Sequence, residues 1–153
     1  VNNEQTLSRL VETQAIERIL FDYAYYLDMN MPDKMAEMFT DDCVVDYAPN
    51  FGATGIEAYK KTLDGIGTFF KATSHHVSNI CVDFVSDTEA TVRAVVLAIH
   101  RYAKDRPDGI LYGQYHDVVV KEDGVWKFKV RVLKTTMGTD YHVKTANPTE
   151  RVA

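Results

Sequence analysis

The chain has 153 residues, 46% of them hydrophobic and 25% charged, with a formal net charge of −5; this is a globular balance with enough apolar material for a core. A negative charge without any Lys/Arg run argues against nucleic acid and against an anionic membrane surface as partners. Apolar runs are too short to span a bilayer and Val1-Asn2-Asn3-Glu4 opens no signal peptide, so the expectation is one domain over residues 1–153, soluble and cytoplasmic.

Over residues 6–27, Leu7, Leu10, Val11, Ile16, Ile19, Leu20, Tyr23, Ala24 and Leu27 recur at helical spacing. They predict a long amphipathic helix, broken near Glu12-Thr13. Asn30-Met31-Pro32-Asp33 ends it and starts a second helix, with Met31, Met35, Met38 and Phe39 as the buried stripe. A short strand over 43–47 and a turn-rich loop over 49–55 follow, then a third helix over 56–70, interrupted late by Gly65 and Gly67.

After Phe70 the apolar period changes from 3.6 to 2. Residues 75–85, 89–102, 111–122 and 125–137 read as four strands, separated by tight turns at 86–88 and 121–124 and a longer loop at 103–109. The tail beyond Tyr141 has no strong pattern. Cys43 and Cys81 lie in apolar segments without CxxC spacing, which predicts buried, reduced thiols. Helices followed by an antiparallel sheet define an α+β layout, and helices capping a curved sheet leave a pocket between the layers. Nine tyrosines against one tryptophan suit the wall of such a pocket, and equally a core with satisfied hydroxyls.

Candidate chemistry should come from inward-facing side chains. Asp28 closes the first helix, where a carboxylate opposes the macrodipole by about 0.3–1 kcal/mol when exposed. It is either a solvated turn residue or a carboxylate turned inward to orient a histidine. His75 and His76 must face opposite ways on a strand: alternation groups His75 with Val77, Asn79 and Cys81, and His76 with Ser78, Ile80, Val82 and Phe84. Alternation alone does not choose between them. His100 shares a face with Val92, Ala94, Val96, Ala98 and Tyr102, a row of small side chains that either leaves room for a ligand or packs tightly. Tyr47, ending the first strand, is a hydroxyl donor or a core tyrosine. No HxH, HxxxH or HExxH spacing links these groups, so no metal is expected. GxSxG, GxGxxG and P-loop patterns are also missing.

Along the chain stand a helix ending in Asp28, a Pro-containing turn, a strand ending Asp46-Tyr47, a Gly-containing loop and Thr73-Ser74-His75. Four strands follow, with Asp123-Gly124-Val125-Trp126-Lys127-Phe128 in the last hairpin. Over residues 7–141 this order resembles the nuclear transport factor 2-like superfamily in its SnoaL-like branch, and within it the scytalone dehydratases. The resemblance implies a cone-like barrel with an internal pocket, and catalytic roles for Asp28, Tyr47, His75 and His100 (the last in His100-Arg101-Tyr102). Thr73, His75 and Asn79 are also similar to the Thr-x-His-x-x-x-Asn pattern of the hexachlorocyclohexane dehydrochlorinases, which implies His75 as the base and His76 as a bystander.

Arg131, five residues after Trp126, matches an arginine of those dehydrochlorinases. Strict alternation would group it with Lys127 and Lys129 on the solvent face, unless a bulge intervenes. The tyrosine that precedes the aspartate in scytalone dehydratases is Leu27 here, with Tyr26 and Tyr23 on the same helix, and two polar residues of that family fall near Gly113 and Tyr115. The substrate-binding candidates are therefore Tyr26, Tyr115 and Arg131, and scytalone itself is not the expected substrate.

The resemblance implies a lyase needing neither metal nor organic cofactor, a dehydratase acting on a small cyclic or aromatic hydroxy ketone, so that the expected partner is a small hydrophobic or aromatic substrate. The alternatives are a ketone isomerase or polyketide-type cyclase using the same dyad, or a non-catalytic binder of small hydrophobic ligands. A homo-oligomer, dimer or trimer, is expected through the outer sheet face bearing Arg93, Val95, Leu97 and Ile99.

Overall fold

In a computed structural model the protein is described over residues 3–47, 49 and 51–141. The unpatterned tail beyond Tyr141 lies outside the described residues, as do Val1 and Asn2 at the start. Helix α1 (Asn3–Asp28) is continuous, without the break expected at Glu12-Thr13. Glu12 instead ties the helix to the sheet: its carboxylate accepts hydrogen bonds from Lys121 Nζ at 2.7 Å and Trp126 Nε1 at 2.6 Å. From there onward Ile16, Leu20, Tyr23, Ala24 and Leu27 form the buried stripe, whereas Leu7, Leu10 and Val11 stay exposed. Asn30 adopts φ +55°, a left-handed conformation that asparagine tolerates and that ends the helix just beyond Asp28.

Helix α2 (Pro32–Glu37) buries Met35 and Ala36, with Met31 and Met38 half-buried. Phe39 belongs not to this helix but to strand β1 (Phe39–Tyr47), which begins earlier than expected. The segment expected as a loop contains β2 (Phe51–Thr54), paired antiparallel with β1. Gly55, at φ +82°, then turns the chain into α3 (Ile56–Leu63). The single helix expected over 56–70 is two, because the chain breaks at Asp64-Gly65 before the short α4 (Ile66–Phe69).

Strands β3 (Phe70–Phe84), β4 (Glu89–Tyr102), β5 (Asp108–Glu122) and β6 (Val125–Tyr141) complete one six-stranded sheet in the order β2-β1-β6-β5-β4-β3. Only the β1–β6 pair is parallel. The curved sheet is an open cone rather than a closed barrel, with β2 and β3 as its edges. Its inner face carries the core with α1: Val45, Ala90, Val92, Ala94, Val96, Ala98, Tyr115, Val119, Trp126 and Phe128. Among the described residues no helix is long and apolar enough to cross a membrane.

Two bulges decide which side chains face inward. In β3, Ser78 pairs with Val95 and Cys81 with Arg93, so one extra residue is inserted, and Asn79 there has φ +50°. His75 and Val77 therefore share the inner face with Ile80, Val82 and Phe84, while Asn79 and Cys81 are exposed. This corrects both the alternation across the strand and the expectation that Cys81 is buried; Cys43 is buried and both thiols are free. In β6, Val119 pairs with Phe128 and Val118 with Val130, leaving Lys129 as the extra residue. Beyond it the phase reverses, and Arg131 turns inward.

Candidate active site

A cavity of about 820 Å³ lies between the helices and the inner sheet face. Asp28 reaches its edge from the end of α1 and accepts three hydrogen bonds. His75 Nδ1 donates to Oδ1 at 2.7 Å, the His75 backbone N–H to Oδ2 at 2.8 Å, and Thr73 Oγ1 to Oδ1 at 2.8 Å. These bonds offset the unfavourable position at the helix C-terminus. Burial pushes the Asp28 carboxyl up, but the hydrogen bonds from His75 and Thr73 and the charge of His75 outweigh it, so the group lies below the usual carboxylate range. An ionised carboxylate only accepts, so Nδ1 carries a proton, and the nitrogen left to exchange a proton with a ligand is Nε2. The His75 side chain is 6% exposed and lines the cavity.

His100 stands on β4 opposite Thr73, and Ala98 opposite His75, which sets the two histidines on one face. Their ring centroids are 5.5 Å apart, and His100 stacks on Phe70 at 4.8 Å. Burial, then repulsion from His75, pulls His100 down to about 4, so at neutral pH it is an uncharged donor and acceptor.

Away from the dyad, the Tyr23 and Tyr47 hydroxyls are hydrogen-bonded at 2.8 Å. Tyr59 and Tyr115 line the same cavity. Of the expected site residues, Tyr47, His75, His100 and Tyr115 line the cavity, and Asp28 is bonded directly to His75. Tyr26 does not line it: the residue is half-buried with its ring edge-on to Tyr25. Arg131 is turned inward but lies behind the wall, against the rings of Tyr115 and Tyr23. His76 is exposed on the outer face, 3.1 Å from Ser74 Oγ. Tyr23 is the site residue that sequence reasoning passed over in favour of Tyr26. The available signal was phase: Tyr23 lies in one stripe with Ile16, Leu20, Ala24 and Leu27, whereas Tyr26 falls about 60° outside its edge. Among the described residues no group of three or more His, Cys, Asp or Glu side chains is placed to hold a metal.

An α+β cone of N-terminal helices on a curved, mostly antiparallel sheet, enclosing a cavity between the layers, is the architecture of the nuclear transport factor 2-like superfamily. The SnoaL-like domain family matches residues 8–132, and the chain belongs to it. Among solved structures, a Novosphingobium aromaticivorans protein provisionally named a scytalone dehydratase is 70% identical, with 97% of this chain and 99% of that chain covered and a TM-score of 0.85. The hexachlorocyclohexane dehydrochlorinase LinA-type3 from Novosphingobium barchaimii is 19% identical, with 94% and 99% covered and a TM-score of 0.83. At that identity the likeness is one of fold. Among curated proteins, none matches the chain.

Proposed function

We propose that the protein is a lyase, a dehydratase that removes water from a small cyclic or aromatic hydroxy ketone by acid–base catalysis at His75 and Asp28, without a metal or organic cofactor. The observation that carries this reading is the 2.7 Å bond between His75 Nδ1 and a half-buried, ionised Asp28 beside an aromatic cavity. Asp28 fixes the tautomer and stabilises the imidazolium that forms. Nε2 takes the proton from the carbon next to the carbonyl. The C–H electron pair forms a carbon–carbon double bond, and the carbonyl oxygen gains the charge. Tyr47 and His100 are the donors assigned to that oxygen. When the carbonyl re-forms, the bond to the β-hydroxyl breaks, and the leaving oxygen takes the proton back from His75 as water. No net oxidation occurs and the dyad returns to its starting state.

The 70% identical relative supports this reaction class, and a cavity of about 820 Å³ is within the range for small-molecule sites. The test is turnover of a panel of β-hydroxy ketones by the wild type, His75→Ala and Asp28→Asn. Each variant should lose on the order of 10³- to 10⁴-fold in kcat, with the double variant little worse than either single one. Near-wild-type turnover in either variant refutes the dyad. Product analysis separates dehydration, which releases water and extends conjugation, from isomerisation or cyclisation by the same base.

A further inference from the structure

The mechanism above leaves without a task the most deeply buried charge in the described protein. Arg131 has no exposed surface. Its guanidinium carbon lies 3.8 Å from the ring centroid of Tyr115, 4.0 Å from that of Tyr23 and 4.4 Å from that of Phe128. Asp117 Oδ2 approaches Nη1 at 3.5 Å, and none of the guanidinium nitrogens has a hydrogen-bond partner among the described residues. Apolar replacement of a buried ion pair is often neutral or stabilising, so packing alone gives no reason for this one.

Its surroundings do give one. Two of the three rings against the cation, Tyr23 and Tyr115, line the cavity. Tyr23 joins its hydroxyl to that of Tyr47, and Tyr59 brings a buried hydroxyl without a hydrogen-bond partner among the described residues. In a hydroxyl pair one proton lies between the oxygens and the other is available to a third acceptor. A cation against the ring faces draws electron density from the phenols and strengthens that remaining donor. Burial drives the hydroxyls of Tyr47, Tyr59 and Tyr115 above the ordinary phenol range, and Arg131 opposes that rise at all three.

We propose that the tyrosine floor is an oxyanion subsite, in which Tyr23 is a further catalytic donor beside Tyr47 and Arg131 is a positioning residue acting through the rings. The ligand class it selects is a planar enolate or phenolate, held by its negative oxygen. The inference rests on the dehydratase reading, since it places the enolate oxygen at the floor while the neighbouring carbon meets His75.

The test needs no turnover. 4-Nitrophenol, whose colour reports its ionisation, and 4-nitroanisole, which cannot ionise, are titrated into the wild type, Tyr23→Phe, Arg131→Lys and the double variant Arg131→Met with Asp117→Asn. The wild type should hold 4-nitrophenol as the phenolate. Tyr23→Phe and the double variant should each weaken phenolate binding about tenfold, the loss of one hydrogen bond to a charged group. Arg131→Lys, which keeps the charge, should stay closer to the wild type, and 4-nitroanisole affinity should change little throughout. A structural role for Arg131 would instead weaken both ligands alike. An unchanged phenolate-to-anisole ratio in Tyr23→Phe or in the double variant overturns the proposal, as does a wild type that binds 4-nitrophenol in neutral form. Should the double variant not fold, Tyr23→Phe and the wild type still decide. Loss of the dyad reading in the turnover assay and loss of the phenolate preference are separate results.

Discussion

Replacing His100 by Phe should change how stability depends on pH, in a direction fixed by its surroundings. His100 titrates at an ordinary 6.5 in the unfolded chain and at about 4 in the folded one, where burial and His75 disfavour its charge. Between those values the unfolded chain holds a proton that the folded chain does not, so stability falls as pH drops through the window. The difference of roughly 2.5 units, at about 1.4 kcal/mol each, amounts to about 3 kcal/mol. Asp117 acts in the opposite sense. Burial raises its carboxyl from 3.8 to about 6, so the folded chain keeps a proton there that the unfolded chain loses, and stability is gained as pH falls. The wild-type profile sums two opposed slopes and understates both. Subtracting the wild-type stability from that of His100→Phe at each pH removes Asp117, which is common to both. Urea unfolding followed by Trp126 fluorescence at pH 7, 6, 5 and 4 should show the variant gaining on the wild type by about 3 kcal/mol over the series. A difference that stays constant within about 0.5 kcal/mol would mean that His100 titrates as a solvated histidine, and would refute its desolvation against Phe70.

The bulge in β3 makes Asn79 a sensitive position, since its φ of +50° suits Asn or Gly and strains a β-branched residue. Asn79→Val should cost about 1–3 kcal/mol in chemical denaturation and Asn79→Gly well under 1; equal effects would show that the backbone conformation is not the cause. On the outer sheet face, Val95 is 37% exposed with Leu97 and Ile99 half-buried beside it. Light scattering should therefore give a mass that is a multiple of 17.4 kDa, reduced to that of one chain by Val95→Asp; a single-chain mass for the wild type would refute the expected oligomer.

Where an element keeps one period from end to end, its sequence could be read almost residue by residue. Strand β4 pairs with β5 without a register shift, and in both shifts of its pairing with β3 the extra residue lies in β3. The alternation of β4 itself is therefore unbroken and placed Val92, Ala94, Val96, Ala98 and His100 on one inner face, as found. Helix α1 was legible for the same reason from Ile16 to Leu27, whereas its first turns, where Leu7, Leu10 and Val11 are exposed and the break expected at Glu12-Thr13 does not occur, were misread. The misreadings cluster where a partner strand sets the outcome. A bulge is a mismatch between two strands, so neither the exposure of Cys81 nor the inward turn of Arg131 is written in β3 or β6 alone. The only local trace was Asn79, a residue that tolerates left-handed backbone, in the middle of a strand. Strand β1 began early for a similar reason. Its first residues include the exposed pair Asp41-Asp42, which hides the alternation, and its pairing with β6 spans most of the chain. The His75–Asp28 pair joins a helix end to a strand 47 residues away, a distance that periodicity cannot bridge and that only the resemblance supplied.

The clamp between Glu12 and the β5–β6 hairpin has a consequence for the dyad. Glu12 and Asp28 are 16 residues apart on one uninterrupted helix, a rod of about 24 Å. The rod is bolted at one end to Lys121 and Trp126 and at the other to Thr73 and His75. A small angular slip at the remote bolt arrives at the carboxylate multiplied by the length of the lever. The hairpin at the far end of the sheet is therefore part of the instrument that holds Asp28 to its histidine, although it touches no part of the cavity.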